Sequence, residues 1–354
     1  MHDAPRRSRE SSCASPSPRP RALSLTLLLC AVLGSVLWPR AAHAANQEPA
    51  GINLGFTSFF DGFGRNEEGF TYLAYAQLAM ARSIHGDDGN PDRRFTDPRI
   101  NAFVFINQLV YVLPEKLFND TAHVGIDFIV PVVGFDTHFK PLILLKDNGV
   151  GLGDITFGPL LQFRPIMSGG RPVFSQRFEV DVIAATGKYD PDRDINQGSN
   201  FTSLNPYWAA TVLPLPHLEA SARVHYLYNF KNDRPALGYL YWLQIPPAVK
   251  RSQAGQAGWV NFAASYELLH GLHAGVNGYY FLQFNLDLYE MRDGSSNPGI
   301  AFNDMGKASV LGIGPGVLWE AGDHDKLFAN VYFQTAVHNR PHSNVVNLHW
   351  IHGF

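Results

Sequence analysis

The chain has almost no cysteine, no strong charge of either sign and, after residue 44, no long apolar run, and each lack removes a class of protein. Its two cysteines, Cys13 and Cys30, both fall within the first 44 residues. If that stretch is removed, the remainder has no disulfide framework and no cysteine-based zinc or redox centre. The formal net charge is −3, and taking away residues 1–44 removes six of the 28 Lys/Arg and two of the 31 Asp/Glu, leaving −7. No basic surface remains to attract nucleic acid, which is not expected as a partner. No later segment holds the ~20 consecutive apolar residues that a membrane helix needs. His-Glu-x-x-His and Gly-x-Ser-x-Gly are both missing, so the reading assigns no catalytic residue, no metal and no cofactor, and expects no enzyme.

What the chain does have begins at its first residues. Arg6, Arg7, Arg9, Arg19 and Arg21 precede an uncharged apolar run from Ala22 to Trp38, and Ala42-His43-Ala44 follows with small residues at alternate positions. This is the pattern of a cleavable export signal over residues 1–44, and Leu29 before Cys30 argues against a lipoprotein site. Residues 45–68, with Phe56, Phe59, Phe60 and Phe63 among glycines, read as a periplasmic N-terminal segment or a plug, and the pattern does not choose between them.

From residue 69 to 354 the dominant signal is period two. Leu218, Ala220, Ala222, Val224, Tyr226 and Tyr228 alternate with Glu219, Ser221, Arg223, His225 and Asn229, which gives a strand one apolar and one polar face. The same dyad recurs at 174–182, 258–268 and 272–284, and more weakly near 71–83, 101–112, 121–132, 153–163, 203–212, 307–319, 327–336 and 345–354. Twelve strands of about 10–13 residues suit a tilted membrane strand better than the ~5–6 of soluble sheets. Long polar connections at 84–100, 133–152, 183–202, 229–257 and 285–306 alternate with short ones, and the final one, near 337–344, is shorter than its siblings. The expected fold is all-β: an antiparallel transmembrane barrel of about 12 strands with long extracellular loops and short periplasmic turns, in the outer membrane of a Gram-negative bacterium. A soluble sandwich or lipocalin-like barrel is the competing architecture.

In such a barrel the polar alternates face the lumen, so Asp127, Arg177, Glu179, Asp181, Glu219, Arg223, His225, Glu267, His273 and Asn277 are the candidate lumen-lining residues. They read either as paired charges that satisfy a narrow interior or as a selectivity constriction. The apolar loop holding Tyr239, Tyr241 and Trp242 is a candidate lid over the mouth, or a mere extension of its flanking strands. Asp190, Asp192 and Asp194 have the alternate spacing of a calcium loop, but Ile195 and Phe201 stand where Gly and Glu belong, which favours a solvated acidic loop. Gly149-Val150-Gly151-Leu152-Gly153 is followed by no helix and closed by no Lys-Ser/Thr pair, so it is no phosphate cradle. The last alternating residues, Val346, Leu348, Trp350, His352 and Phe354, form the kind of terminal strand that resembles an outer-membrane assembly signal, with His352 where an aromatic is commoner.

Several stretches also resemble one family. Gly151-Leu152-Gly153-Asp154-Ile155-Thr156-Phe157-Gly158-Pro159, Thr186-Gly187-Lys188-Tyr189-Asp190, Tyr226-Leu227-Tyr228-Asn229 and Ala254-Gly255-Gln256-Ala257 are similar to the proteins associated with the meta-pathway of phenol degradation. So are Asn261-Phe262-Ala263-Ala264-Ser265-Tyr266-Glu267 and Gly275-Val276-Asn277-Gly278-Tyr279-Tyr280. The resemblance runs from about residue 50 onward and implies an outer-membrane protein that admits small hydrophobic or aromatic compounds past the lipopolysaccharide. It brings no catalytic residues with it. The alternative is a non-transporting structural or surface barrel with a filled lumen. The partners expected are the lipid bilayer and lipopolysaccharide, the assembly machinery through the strand ending at Phe354, and small apolar solutes.

Overall fold

A computed structural model describes residues 49–93, 95–139, 145–236, 249–298 and 306–354, all within one compact unit spanning Ala42–Phe354. The expected export signal and the loop residues Tyr239, Tyr241 and Trp242 lie outside the described residues.

Twelve strands form the wall: β1 (Gly69–His85), β2 (Arg99–Leu117), β3 (Ala122–His138), β4 (Thr156–Phe163), β5 (Arg171–Ile183), β6 (Ser203–Leu215), β7 (Leu218–Asn229), β8 (Ala257–Leu269), β9 (Leu272–Gln283), β10 (Ser309–Glu320), β11 (Asp325–His338) and β12 (Arg340–Gly353). Each pairs antiparallel with its neighbour in sequence, and β1 also pairs with β12, from Thr71 opposite Gly353 to His85 opposite Arg340. The sheet is therefore closed, and no wall strand is left with an unpaired edge. The expected twelve strands match these one for one. A separate small sheet joins Lys231–Asn232, Val249–Gln253, Leu288–Met291 and Ser296–Pro298 at the end that carries the long connections.

Alternation decides which face each residue takes. In β7, Glu219, Ser221, Arg223, His225 and Asn229 are buried inside the ring, while Val224 on the outside is 47% exposed and Tyr226 38%. Elsewhere Phe103, Phe128, Phe157, Phe178, Trp208 and Leu348 also point outward and are exposed. A soluble barrel would bury these groups and show water its charges. This one buries charge and presents a continuous apolar band, so the wall is matched to hydrocarbon and the sandwich or lipocalin alternative falls. Strands β1, β2 and β3 run to 17, 19 and 17 residues, beyond the ~9–11 that span a bilayer. Their ends therefore stand clear of the hydrocarbon.

The connections alternate as expected. Tight turns at 118–121, 216–217, 270–271 and 321–324 lie at one end of the barrel, and the described residues of segments 86–98, 139–155, 184–202, 230–256 and 284–308 at the other. The sixth connection at the loop end is Asn339 alone between β11 and β12, with φ 53°. Asparagine tolerates that left-handed conformation better than most side chains, and the hairpin there is correspondingly tight.

Candidate functional site

The inside of the ring is occupied by the chain itself. Residues 49–64 run through the lumen from the loop end towards the turn end without regular structure, and wall side chains satisfy their backbone. Trp259 Nε1 donates to Asn53 O at 2.7 Å, and Asn261 Oδ1 accepts from Gly55 N at 3.1 Å. Gly55 O accepts from Asn347 Nδ2 at 2.9 Å and Tyr332 Oη at 2.8 Å. Lower down, Gly62 N donates to Thr211 Oγ1 at 2.8 Å while Gly62 O accepts from Ser175 Oγ at 2.8 Å and Gln162 Nε2 at 3.1 Å. Buried backbone without such partners would be costly, so these wall residues hold the segment as a sheet ladder holds a strand. A Cβ on Gly62 would lie 2.5 Å from Ser175 O and from Thr211 N, so only glycine lets the segment approach this closely. Apolar anchors complete the fit: Phe56 packs with Tyr75, Val104, Ile106 and Leu160, and Phe59 with Ala263, Leu318 and Phe328.

The ten candidate residues divide into four groups around this segment. Arg223 Nε donates to Asp61 Oδ2 at 2.9 Å, joining wall to inner segment, and its guanidinium lies 4.3 Å over the Tyr207 ring. Glu219 accepts from Ser221 Oγ at 2.7 Å, Ser265 Oγ at 2.8 Å and Phe60 N at 3.4 Å. Asp127, Arg177, Glu179 and Asp181 form a second cluster. Arg177 Nε donates to Glu179 at 2.9 Å, Arg177 Nη2 also binds it and lies 3.7 Å from Asp127 Oδ2, and Gln108 Nε2 donates to Asp127 at 2.5 Å. His225 stacks on Trp259 at 4.3 Å with Nδ1 3.1 Å from Asn205 Oδ1, His273 meets Phe60 edge-on at 5.0 Å, and Asn277 donates to Asn330 at 3.2 Å. Glu267 stands apart, partly exposed at the turn end, where it binds His217 Nδ1 at 2.7 Å and Gly271 N at 3.0 Å.

The residues missed at the sequence level are mostly amides. Gln108, Gln162, Asn261, Asn330 and Asn347 all bind the inner segment or the clusters beside it. Each sits on the polar face of a strand, and period two alone would have placed them there. Asp61 carried no such signal, because its segment has no periodicity.

Above the inner segment, at the loop end, is a cavity of about 510 Å³ whose floor includes Ile52, Leu54 and Phe56 and whose walls include Ile84, Phe135 and Phe201. Tyr189 also lines it, its hydroxyl donating to Arg234 O at 2.7 Å. Burial raises the Tyr189 phenol above its ordinary range, so it stays a neutral donor at the mouth. Two of the family-like stretches are what fixes this rim. Asp154 Oδ1 accepts from Thr186 N at 3.1 Å and Gly187 N at 2.8 Å, and Oδ2 from Ser199 N at 2.7 Å. Lys188 Nζ donates to Asn148 O at 2.5 Å and Val150 O at 3.1 Å. In the 190–194 acidic stretch, Asp190 Oδ1 and Asp194 Oδ2 accept from the backbone nitrogens of Asp192 and Lys146 at 2.9 and 2.8 Å. Asp190 thus serves its own loop's backbone, and Asp194 ties that loop to the neighbouring 139–155 connection.

A fold of this kind exists in solved proteins. An outer membrane channel from Pseudomonas putida F1 is similar over 86% of this chain and 100% of that one, with a TM-score of 0.66 at 16% identity. That likeness is one of fold. A Pseudomonas aeruginosa FadL homologue covers 89% of this chain and is itself covered over 100%, with a TM-score of 0.43 at 11% identity, too distant in shape to argue from. No curated protein matches the sequence. The family model described as the putative MetA-pathway of phenol degradation matches residues 83–350, from within β1 to within β12. The chain belongs to that family.

Proposed function

We propose that this barrel is an outer-membrane channel through which small hydrophobic or aromatic molecules are taken up, and that residues 49–64 are its plug. The observation that carries the reading is the apolar cavity at the loop end, floored by the plug residues Ile52, Leu54 and Phe56. Apolar solute slowed by lipopolysaccharide would partition into it, since apolar pockets of this size take small molecules on area burial alone. The channel character of the P. putida protein and the phenol-degradation label of the family agree with this reading. Export through a signal at 1–44, insertion by the assembly machinery through the last strand, and residence in the outer membrane belong to the same proposal. In it the buried charges at Arg223, Glu219, Asp127 and Glu179 hold the plug and its seat.

Phenol uptake by cells with and without the protein tests the reading. Slower uptake at limiting phenol is expected without it, and equal rates would refute it. The filled lumen favours a second reading, a non-transporting barrel, which predicts equal uptake together with no swelling of liposomes that contain it.

A further inference from the structure

One buried cluster has more negative charge than the wall around it neutralises. Asp127 projects from β3, and Glu179 and Asp181 from β5. Their side chains meet because the inward position of β4 between them is Gly158, where a Cβ would lie 2.1 Å from Val180 O. One carboxylate oxygen from each of the three lies within 4.8 Å of the others, and all three residues are at most 5% exposed. Arg177 is the guanidinium that contacts them, through Glu179 and Asp127. Arg223, close by, is engaged by Asp61 of the plug. Three carboxyl groups thus share one guanidinium, and in a low-dielectric interior the negative charge left over is met either by protons or by a bound cation.

A second observation is independent of the carboxylates. A cavity of about 50 Å³ lies between the cluster and the plug, its polar lining including Asp127, Asp181, Gln108, Asn205, His225 and Arg223. His225, on β7 and 4% exposed, has no hydrogen-bond partner for Nε2. Asp127 Oδ1, Glu179 Oε1 and Asp181 Oδ1 are also buried without partners. The space suffices for an ion and a water, each water taking about 30 Å³.

We propose that Asp127, Glu179 and Asp181 bind one divalent cation of calcium's size, completed by water in this cavity. Carboxylate oxygens select a hard cation. Three carboxylates set close together suit calcium, whereas magnesium dehydrates reluctantly and is usually held by only one or two carboxylates with several waters kept. Plug residues Pro49 to Asn53 line the same cavity, so the ion also firms the seat of the plug. The inference does not depend on what the channel carries.

The test uses the full-length chain in detergent, stripped with chelator and titrated with terbium, whose emission is sensitised by Tyr75 and Tyr207 beside the site. One terbium per chain is expected, displaced by calcium and at least tenfold less well by magnesium. Asp181→Asn should weaken binding tenfold or more, while Asp190→Asn in the outer loop should not. Crystals soaked in terbium locate the ion in the unaltered chain, so the result does not rest on variants folding. No terbium bound to the wild-type chain, or an anomalous peak away from the three carboxylates, overturns the proposal.

Discussion

Arg223 and Asp61 show what single residues do here and how far they could be read. The alternation of β7 places Arg223 inside, but its partner is 162 positions away in a segment without period, and no local rule links them. Both side chains are less than a tenth exposed. Removing one partner strands the other as a buried charge, so Arg223→Ala should lower the unfolding free energy by about 3–5 kcal/mol. The double change Arg223→Leu with Asp61→Leu should recover most of that loss. Urea unfolding of the folded barrel in detergent measures both. Equal losses for the single and double variants would show that the pair is not the cause. Gly158 teaches the same lesson about legibility, since its family-like motif is visible in the sequence but the meeting of carboxylates that it permits is not.

At the scale of elements, the wall strands were readable and the path of the inner segment was not. Each strand repeats its signal over ten or more residues, and hairpin neighbours lie close in sequence. Residues 45–68 offered only phenylalanines and glycines, which fit a tail as well as a plug. The place of residues 49–64 is set by contacts such as Asn347 with Gly55, 292 positions apart. The lengths of β1, β2 and β3 were also underestimated, because their ends, which for β2 means chiefly 113–117 beside the turn, continue the pairing beyond the apolar alternation. Deleting residues 49–64 should leave the ring of twelve strands folded and open it. Planar-bilayer recordings should then show stepwise conductance for the deletion and little for the intact chain, and silence from both would mean that something else closes the lumen.

The whole molecule is ordered by one inversion, charge within and apolar side chains without, and this was the most legible property of the sequence. Its energetic consequence can be measured at Val224, which is outward-facing and 47% exposed. In a water-soluble barrel Val224→Arg would be a surface change worth within about 0.5 kcal/mol either way. Facing the bilayer midplane it should cost about 2–4 kcal/mol. Reversible denaturant unfolding in lipid vesicles distinguishes the two, and a change within the smaller range would contradict a lipid-facing position.

The inner segment proposed as the plug is continuous with β1 through residues 65–68, and Arg65 Nη1 donates to Phe354 O at 2.6 Å beside that junction. A stopper joined to its own wall by so short a tether cannot diffuse away. Released from its seat, it remains at an effective concentration of order millimolar, far above that of any free competitor present in micromolar amounts. Reclosure is thus a first-order event, independent of how many barrels a membrane holds. The lifetime of an opening would be set by the tether and the seat within one molecule.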